Sequence, residues 1–327
     1  MNVLVIGGAG YIGSHAVRHL TRGGHEAWIY DNLEQGHAQA CPPGKLVQGD
    51  LLDRSKLEQT LRDKNIEAEM HFAAYALVGE SVTEPAKYYK NNVVGTLSLL
   101  DSMRATGVKK IVFSSTCAVY GEPEKVPMTE DLPKRPVSPY GTTKLIIEHA
   151  LADYSAAYGI GYAALRYFNA AGASSDGDLG EDHSPESHLI PLVLQVALGQ
   201  RDKITIFGED YPTPDGSCVR DYIHVDDLAD AHVRALDKLA EGVSLQLNLG
   251  TGQGYSVKQV IETCRKVTGH AIPYAVGPRR PGDPPELVAD PSKAWQVLGW
   301  KATRSNLESL VSDAWKWHSA HPQGYGK

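Results

Sequence analysis

Short apolar runs alternate with longer stretches of helical period through the first half of this chain. Asn2 to Ile6 reads as a buried strand, and a helical stretch follows to about Arg22. Glu26 to Tyr30, Lys45 to Gly49, Ala68 to Phe72 and Lys110 to Ser115 repeat the strand pattern, and a helix follows each strand. One long helical stretch covers about Glu84 to Ala105; another opens at Pro139, a residue suited to a first turn. Gly161 to Tyr167 is a further strand. Strand–helix alternation of this kind predicts an α/β fold, a parallel sheet with helices on both faces. The texture changes after Asn169: Ala170 to Ser187 is rich in Gly, Ser and Asp, a loop signal. Beyond it the pattern predicts a helix (Leu189 to Gly199), a strand (Lys203 to Phe207), a loop (Asp210 to Gly216), a strand (Arg220 to Val225), a helix (Asp226 to Leu239) and a buried strand (Leu245 to Leu249). The tail, Asn306 to His318, reads as a helix. The expected organisation is a first domain over 1–169, with 218–250 returning to it, and a smaller α/β lobe made of 170–217 and 251–327.

Where the first strand meets its helix stands Gly7-Gly8-Ala9-Gly10-Tyr11-Ile12-Gly13. Glycines let a chain turn tightly and approach a pyrophosphate, while the helix N-terminus offers free N–H groups to the anion. The second strand runs into Asp31, 18 residues past Gly13. A carboxylate there can accept both hydroxyls of an adenosine ribose and repels a 2′-phosphate, which favours NAD over NADP. Asp50 and Leu51, after the third strand, can flank an adenine. Phe72-Ala73-Ala74 ends the fourth with small residues that let a cofactor lie close. In such sheets ligands bind at the carboxyl ends of the strands, where Gly7, Asp31, Phe72 and Thr116 all fall.

A second constellation lies between Ile111 and Lys144. The strand ends in Ser114-Ser115-Thr116, and the next helix opens with Ser138-Pro139-Tyr140, followed by Lys144. Tyr140 and Lys144 share a helix face at a spacing of four. A Lys ammonium beside the Tyr hydroxyl would favour the phenolate. With a strand-end hydroxyl sharing the substrate oxygen, the group suits proton transfer from an alcohol that becomes a ketone. Among the tyrosines only Tyr140 has a Lys four residues later.

Composition narrows the field. The 327 residues include 32 Lys and Arg against 39 Asp and Glu, a net charge of −7. This argues against a broad nucleic-acid or membrane surface but permits a local basic pocket. Arg279 and Arg280 beside a Gly/Pro turn form such a pocket, suited to a diphosphate. Cys41, Cys117, Cys218 and Cys264 are widely spaced, which suggests neither zinc nor disulfides and makes a reducing cytoplasm the default. No export signal or membrane-spanning run is read at either level. His183, Glu186 and His188 sit in the Gly-rich loop, where no helix fixes their spacing; they read as solvated residues, and no metal is expected.

Taken in order, these motifs resemble the extended short-chain dehydrogenase/reductase family, and within it the nucleotide-sugar 4-epimerases. The resemblance spans nearly the whole chain. Besides the glycine loop through His15 and the Tyr140–Lys144 pair, it rests on His71-Phe72-Ala73-Ala74, Val78-Gly79-Glu80-Ser81-Val82 and Tyr167-Phe168-Asn169. It continues through Val219 to Val225 and Arg279-Arg280-Pro281-Gly282-Asp283. It implies a Rossmann-type doubly wound sheet with a smaller substrate lobe. The implied activity is the interconversion of UDP-glucose and UDP-galactose through a 4-keto sugar and retained NAD, in a homodimer packed through 84–105 and 139–158. Tyr140 is then the base, Lys144 its partner, and Thr116 stands where the family usually has Ser. The cofactor set implied is Gly7, Gly10, Tyr11, Ile12, Gly13, Asp31, Asn32, Leu33, Gly36, Asp50, Leu51, Phe72, Ala73, Ala74, Asn91 and Phe168, with the catalytic three. The UDP-sugar set implied is Asn169, His188, Leu189, Phe207, Arg220, Arg280, Asp283 and Leu287, beside Thr116 and Tyr140. Ala76 replaces a Lys that some members place against the cofactor. Leu287 is smaller than the Tyr of members confined to plain hexoses, which extends the expectation to UDP-N-acetylglucosamine. Another nucleotide-sugar epimerase or a 4,6-dehydratase is the nearest alternative; the dehydratases carry an Asp-Glu pair after the Thr, where this chain has Cys117 and Ala118. A non-catalytic NAD sensor on the same fold is the remaining one.

Overall fold

The structure, a computed structural model, describes residues 1–280 and 282–326. Thirteen strands are described: β1 (Asn2–Ile6), β2 (Glu26–Asp31), β3 (Leu46–Gln48), β4 (Ala68–His71), β5 (Lys110–Thr116), β6 (Gly161–Tyr167), β7 (Asn169–Ala171), β8 (Ile204–Phe207), β9 (Val219–His224), β10 (Ser244–Leu249), β11 (Gly254–Ser256), β12 (Tyr274–Gly277) and β13 (Glu286–Leu287). Seven form one sheet in the order β10-β6-β5-β4-β1-β2-β3, parallel throughout. The direction of winding reverses at β1, between β2 and β4, which is where a doubly wound sheet opens a crevice.

Alternation along each strand divides the core in two. Val3, Val5, Ile29, Met70, Val112 and Leu165 face one side, with Ala16, Val17 and Leu20 of the Tyr11–Arg22 helix and Leu228, Ala231 and Leu236 of the Val225–Lys238 helix. Leu4, Ile6, Tyr30, Ile111, Phe113 and Ala164 face the other, against Leu57, Leu99, Met103, Ile147 and Leu151. Strands buried on both faces explain the unbroken apolar runs.

A third core, including Val193, Leu194, Ile206, Tyr222, Val260, Ile261, Leu310 and Val311, fills the smaller lobe. There β9 pairs with β7, β11 and β13, and β12 pairs with β8. Within 218–250, the Val225–Lys238 helix and β10 lie with the large sheet, whereas β9 pairs in the small one. The short strands β11 to β13 and the Val257–Thr268 and Ser292–Leu298 helices had no reading in the sequence.

The single helix expected over 84–105 is instead interrupted. Glu84 breaks it from the Val78–Thr83 turn, and Tyr89–Val94 winds as a π-helix before the regular Gly95–Thr106 segment. A π turn inserts an extra residue and rotates the face presented to neighbours; here it turns Asn92 inward, 1% exposed. No helix among the described residues is long and apolar enough to cross a membrane. All four cysteines are free thiols.

Candidate active site

Two glycines of the loop, Gly7 and Gly13, leave no room for a side chain. Gly7 adopts φ +76°, and a Cβ there would lie 2.6 Å from Ala73 N. At Gly13 it would lie 2.1 Å from Gly7 O. Gly10, by contrast, would meet only Gly7 O within 4 Å, so its outer side is open. It caps the Tyr11–Arg22 helix with no side-chain bond, which leaves first-turn N–H groups facing outward. The Tyr11 hydroxyl donates to Gly172 O at 2.6 Å and ties this turn to the smaller lobe.

Asp31 ends β2 beside this cradle, 8% exposed. Its carboxylate accepts from Ala9 N at 3.0 Å and Leu33 N at 2.8 Å. Burial pushes its pKa up, and those two N–H bonds oppose the shift. A Cβ on Gly36 would lie 2.9 Å from Asp31 Oδ1, so Gly36 leaves the carboxylate room. Asn32 donates to Asp50 Oδ2 at 3.1 Å, and Leu51 packs in the core behind the Gly95–Thr106 helix. Phe72 lies against the His232 ring, 4.9 Å between centroids, and Ala73 abuts Gly7. The bare helix end, the glycine cradle and the sheltered carboxylate fit a dinucleotide carrying a free 2′-hydroxyl.

Thr116 stands at the end of β5 and Tyr140 in the first turn of the Pro139–Tyr158 helix. The Ser138 side chain caps that turn by accepting from Gly141 N at 3.2 Å, which fixes where Tyr140 begins. A Cβ on Gly141 would lie 2.6 Å from Ala118 O, so only glycine lets the helix approach the strand end this closely. The Thr116 hydroxyl accepts from Ala118 N at 3.1 Å, and Thr116 lies near enough to Tyr140 to act on its pKa. Lys144 donates to Ser114 O at 2.8 Å.

The expected electrostatics require correction. Burial raises the Tyr140 pKa, and the neighbouring Thr116 hydroxyl opposes that rise only in part. Burial brings Lys144 down to about 7, opposed by Glu148. The ammonium is engaged with a carbonyl and is itself partly neutralised by desolvation, so the protein alone does not hold Tyr140 as a phenolate.

Of the expected substrate residues, Asn169 lies on β7, Phe207 on β8, Arg220 on β9 and Leu287 on β13. Asn169 donates to Asp221 O at 3.1 Å. Arg220 pairs with Asp283, and Arg280 stacks 4.2 Å over the Phe207 ring. Pairing of β13 with β9 sets Leu287 beside Arg220, and its side chain packs against the small core of Val119, Tyr120 and Met128, which Cys117 and Phe168 also border. Leu189 opens the Leu189–Ala197 helix. Pro281 lies outside the described residues. A separate surface hollow of about 690 Å³, lined by Tyr255, Lys258, Glu262, Tyr274 and Glu308, contains none of these residues.

Several groups had no sequence signal. Asn92, rather than its neighbour Asn91, clamps the loop after β4: it accepts from Tyr75 N and donates to Tyr75 O, both at 3.0 Å, while Asn91 donates to Asn92 Oδ1 at 3.0 Å. Asp221 is fully buried and gathers Thr251 N, Gly252 N and Ala289 N; burial raises it to about 6 despite these bonds. Arg166 and Glu148 form a buried pair, 2.5 Å at the shorter contact, that also takes in Ser115 and Tyr120. His183 and His188 keep the partial exposure expected of a loop, 29% and 46%, but with Glu186 they converge on Glu181, whose side chain is 3% exposed.

The sequence matches the NAD dependent epimerase/dehydratase family over residues 3–250. The chain belongs to that family. It is 54% identical over 326 residues to a UDP-glucose 4-epimerase of Halalkalibacterium halodurans, covering 99% of this chain and 98% of that one. Its structure is similar to a UDP-glucose 4-epimerase of Brucella ovis solved in complex with NAD, with TM-score 0.94, 51% identity, and coverage of 96% of this chain and 97% of that one. It is also similar to a UDP-Glc/GlcNAc 4-epimerase of Campylobacter jejuni, with TM-score 0.85, 41% identity, and coverage of 98% and 99%. The cofactor of the epimerase/dehydratase family is NAD, in agreement with the cradle and Asp31.

Proposed function

We propose that this NAD-dependent isomerase interconverts UDP-glucose and UDP-galactose, with Tyr140 as the general base. The observation that carries the reading is the placing of the half-buried Tyr140, in the first turn of its helix, close to Thr116 at the end of β5, with Lys144 buried one helical turn on. When bound, NAD would supply the carbon that takes and returns the C4 hydride, and a positive charge in its oxidised form. Gly7, Gly10, Gly13, Tyr11 and Ile12 would hold its pyrophosphate, Asp31 its adenosine ribose, and Lys144 its second ribose. Thr116 and Tyr140 share the sugar 4-hydroxyl. Tyr140 takes its proton as the alcohol becomes a ketone, and gives it back to the 4-oxygen when the hydride returns to the opposite face of C4.

The opposite face must be offered by the sugar itself. Near Thr116 the walls are Cys117, Phe168 and Leu287, side chains that give a sugar ring few fixed hydrogen bonds. Arg220, Arg280, Asn169 and Asp283 line the mouth and anchor the diphosphate and uridine, so the 4-keto ring is free to turn while the nucleotide stays. Arg220 must exchange its Asp283 partner for phosphate oxygens. Elimination of water, the dehydratase alternative, lacks its carboxylates, because Cys117 and Ala118 occupy their places. Incubation of the purified protein with UDP-galactose, followed by NMR of the sugar, should yield UDP-glucose; a product lacking the 6-hydroxyl would overturn the reading.

We also infer two lobes, 225–250 returning to the first while β9 stays with the smaller one, and a homodimer. Val78, Val82, Tyr89, Val94, Leu97, Ile146 and Tyr158 are large apolar side chains left 36–62% exposed on the 78–106 and 139–158 segments, a patch that suits burial against a second copy. Light scattering at micromolar concentration should report a dimer.

A further inference from the structure

We propose that Glu181, His183, Glu186 and His188 form a binding site for one divalent transition-metal ion, zinc being the best match. His188 Nδ1 lies 2.7 Å from Glu181 Oε1 and 3.1 Å from Glu186 Oε1. His183 Nδ1 lies 3.2 Å from Glu181 Oε1 and 3.8 Å from Glu186 Oε2. The four donor atoms all fall within 4.8 Å of one another. Bonds of about 2.0–2.1 Å around a tetrahedral zinc place its donors about 3.3 Å apart, inside the range already present. Entry of the ion therefore asks for displacements of about an ångström rather than a new loop conformation.

The donor set suits the ion. Two carboxylates and two neutral imidazoles carry a charge of −2 and balance a divalent cation, and a mixed N₂O₂ shell is one that zinc accepts. Packing also holds the carboxylates. The Glu181 and Glu186 side chains are 3% and 7% exposed. Glu186 Oε1 accepts from Ser187 N at 2.7 Å and His188 N at 2.8 Å, which fixes its orientation. Trp317 Nε1 donates to Glu181 O at 3.1 Å and anchors the first ligand to the C-terminal helix. The imidazoles are more open, His183 29% and His188 46% exposed, and leave a path for the ion.

The site would tie three parts of the molecule together. His183 lies edge-on to Tyr11, 6.3 Å between ring centroids, at the start of the cofactor-side helix. Glu181 is bound to the C-terminal helix, and His188 caps the Leu189–Ala197 helix of the smaller lobe. A metal here is a structural clamp at the junction of cofactor cradle and substrate loop; it stands apart from the reacting atoms, and the proposed epimerisation does not pass through it.

The test uses NAD-loaded protein dialysed against a chelator and then titrated with zinc chloride by calorimetry. X-ray absorption gives the ligand set of the loaded protein. One zinc per chain is expected, bound at micromolar concentration or tighter, with only nitrogen and oxygen neighbours near 2.0 Å and a raised Tm. The His183→Ala/His188→Ala pair should weaken binding at least ~100-fold, since it removes half the ligands, while loss of one oxygen in Glu186→Gln should cost about 10-fold or more. Glu186→Gln preserves side-chain volume, and its circular dichroism checks the fold. No uptake at 100-fold excess of zinc, sulfur in the shell, or equal binding by both variants would overturn the site.

Discussion

Lys144 Nζ stands 6.0 Å from the centre of the Tyr140 ring and spends a hydrogen bond on Ser114 O at 2.8 Å. The helical spacing placed the two on one face; burial then raised the Tyr and lowered the Lys to about 7. Neither shift favours a Tyr140 phenolate beside a Lys144 ammonium, and a positively charged oxidised cofactor would favour the phenolate when bound. Tyr140→Phe keeps the ring and removes the proton acceptor. Turnover should fall at least ~100-fold, the low end for general base catalysis, with UDP affinity nearly unchanged by calorimetry. Near-normal turnover would remove Tyr140 from its role.

Asp31 sets the cofactor. Its carboxylate is already oriented by Ala9 N and Leu33 N, so a 2′-phosphate would meet a fixed negative charge. Cofactor-free protein should regain activity with NAD and not with NADP. Asp31→Ser should narrow that difference, and equal reconstitution of the wild type by both nucleotides would refute the assignment.

Glu69 is a cost built into the large sheet. It lies on β4, fully buried, with both carboxylate oxygens lacking a partner. Burial alone raises its pKa well above the usual value. A raised carboxyl pKa means the folded chain holds a proton that the unfolded chain releases above about pH 4.3. Its penalty is therefore absent at lower pH and grows as pH rises toward the folded-state pKa. Glu69→Met should stabilise the protein by about 1–3 kcal/mol at pH 8, the scale of an unsatisfied buried polar group, and by less at pH 5. Urea denaturation at both pH values checks the sign; an equal gain at both would mean the group does not titrate between them.

Leu287 bears on sugar choice. It borders the same small core as Phe168 and Cys117, the residue after Thr116, which places it on the expected path of an acetamido group as the keto ring turns. UDP-N-acetylglucosamine should be epimerised as well as UDP-glucose. Leu287→Tyr should suppress kcat/KM for the acetamido sugar selectively, a steric penalty of a few kcal/mol by overpacking. Equal slowing of both sugars would place the gate elsewhere.

The residues legible in the sequence share one property: their geometry is set by neighbours a few positions away. A strand, a glycine turn and a helix start fix where Gly7, Gly10 and Gly13 stand, and one helical turn separates Tyr140 from Lys144. Parallel βα alternation then puts Asp31 and Thr116 at the same sheet edge without any further information. What the tertiary structure alone decided depends on contacts between distant segments. Leu287 reaches the active-site wall only because β13 pairs with β9. Asn92 reaches the loop after β4 only through a π turn, which has no reliable pattern in side-chain period. Spacing along a flexible loop carries no direction, so Glu181, His183, Glu186 and His188 gave no cage until Trp317 and the helix starting at Leu189 held both ends. The protonation of Lys144 and Glu69 was decided the same way, because dielectric surroundings are a property of the packed core and not of the chain order.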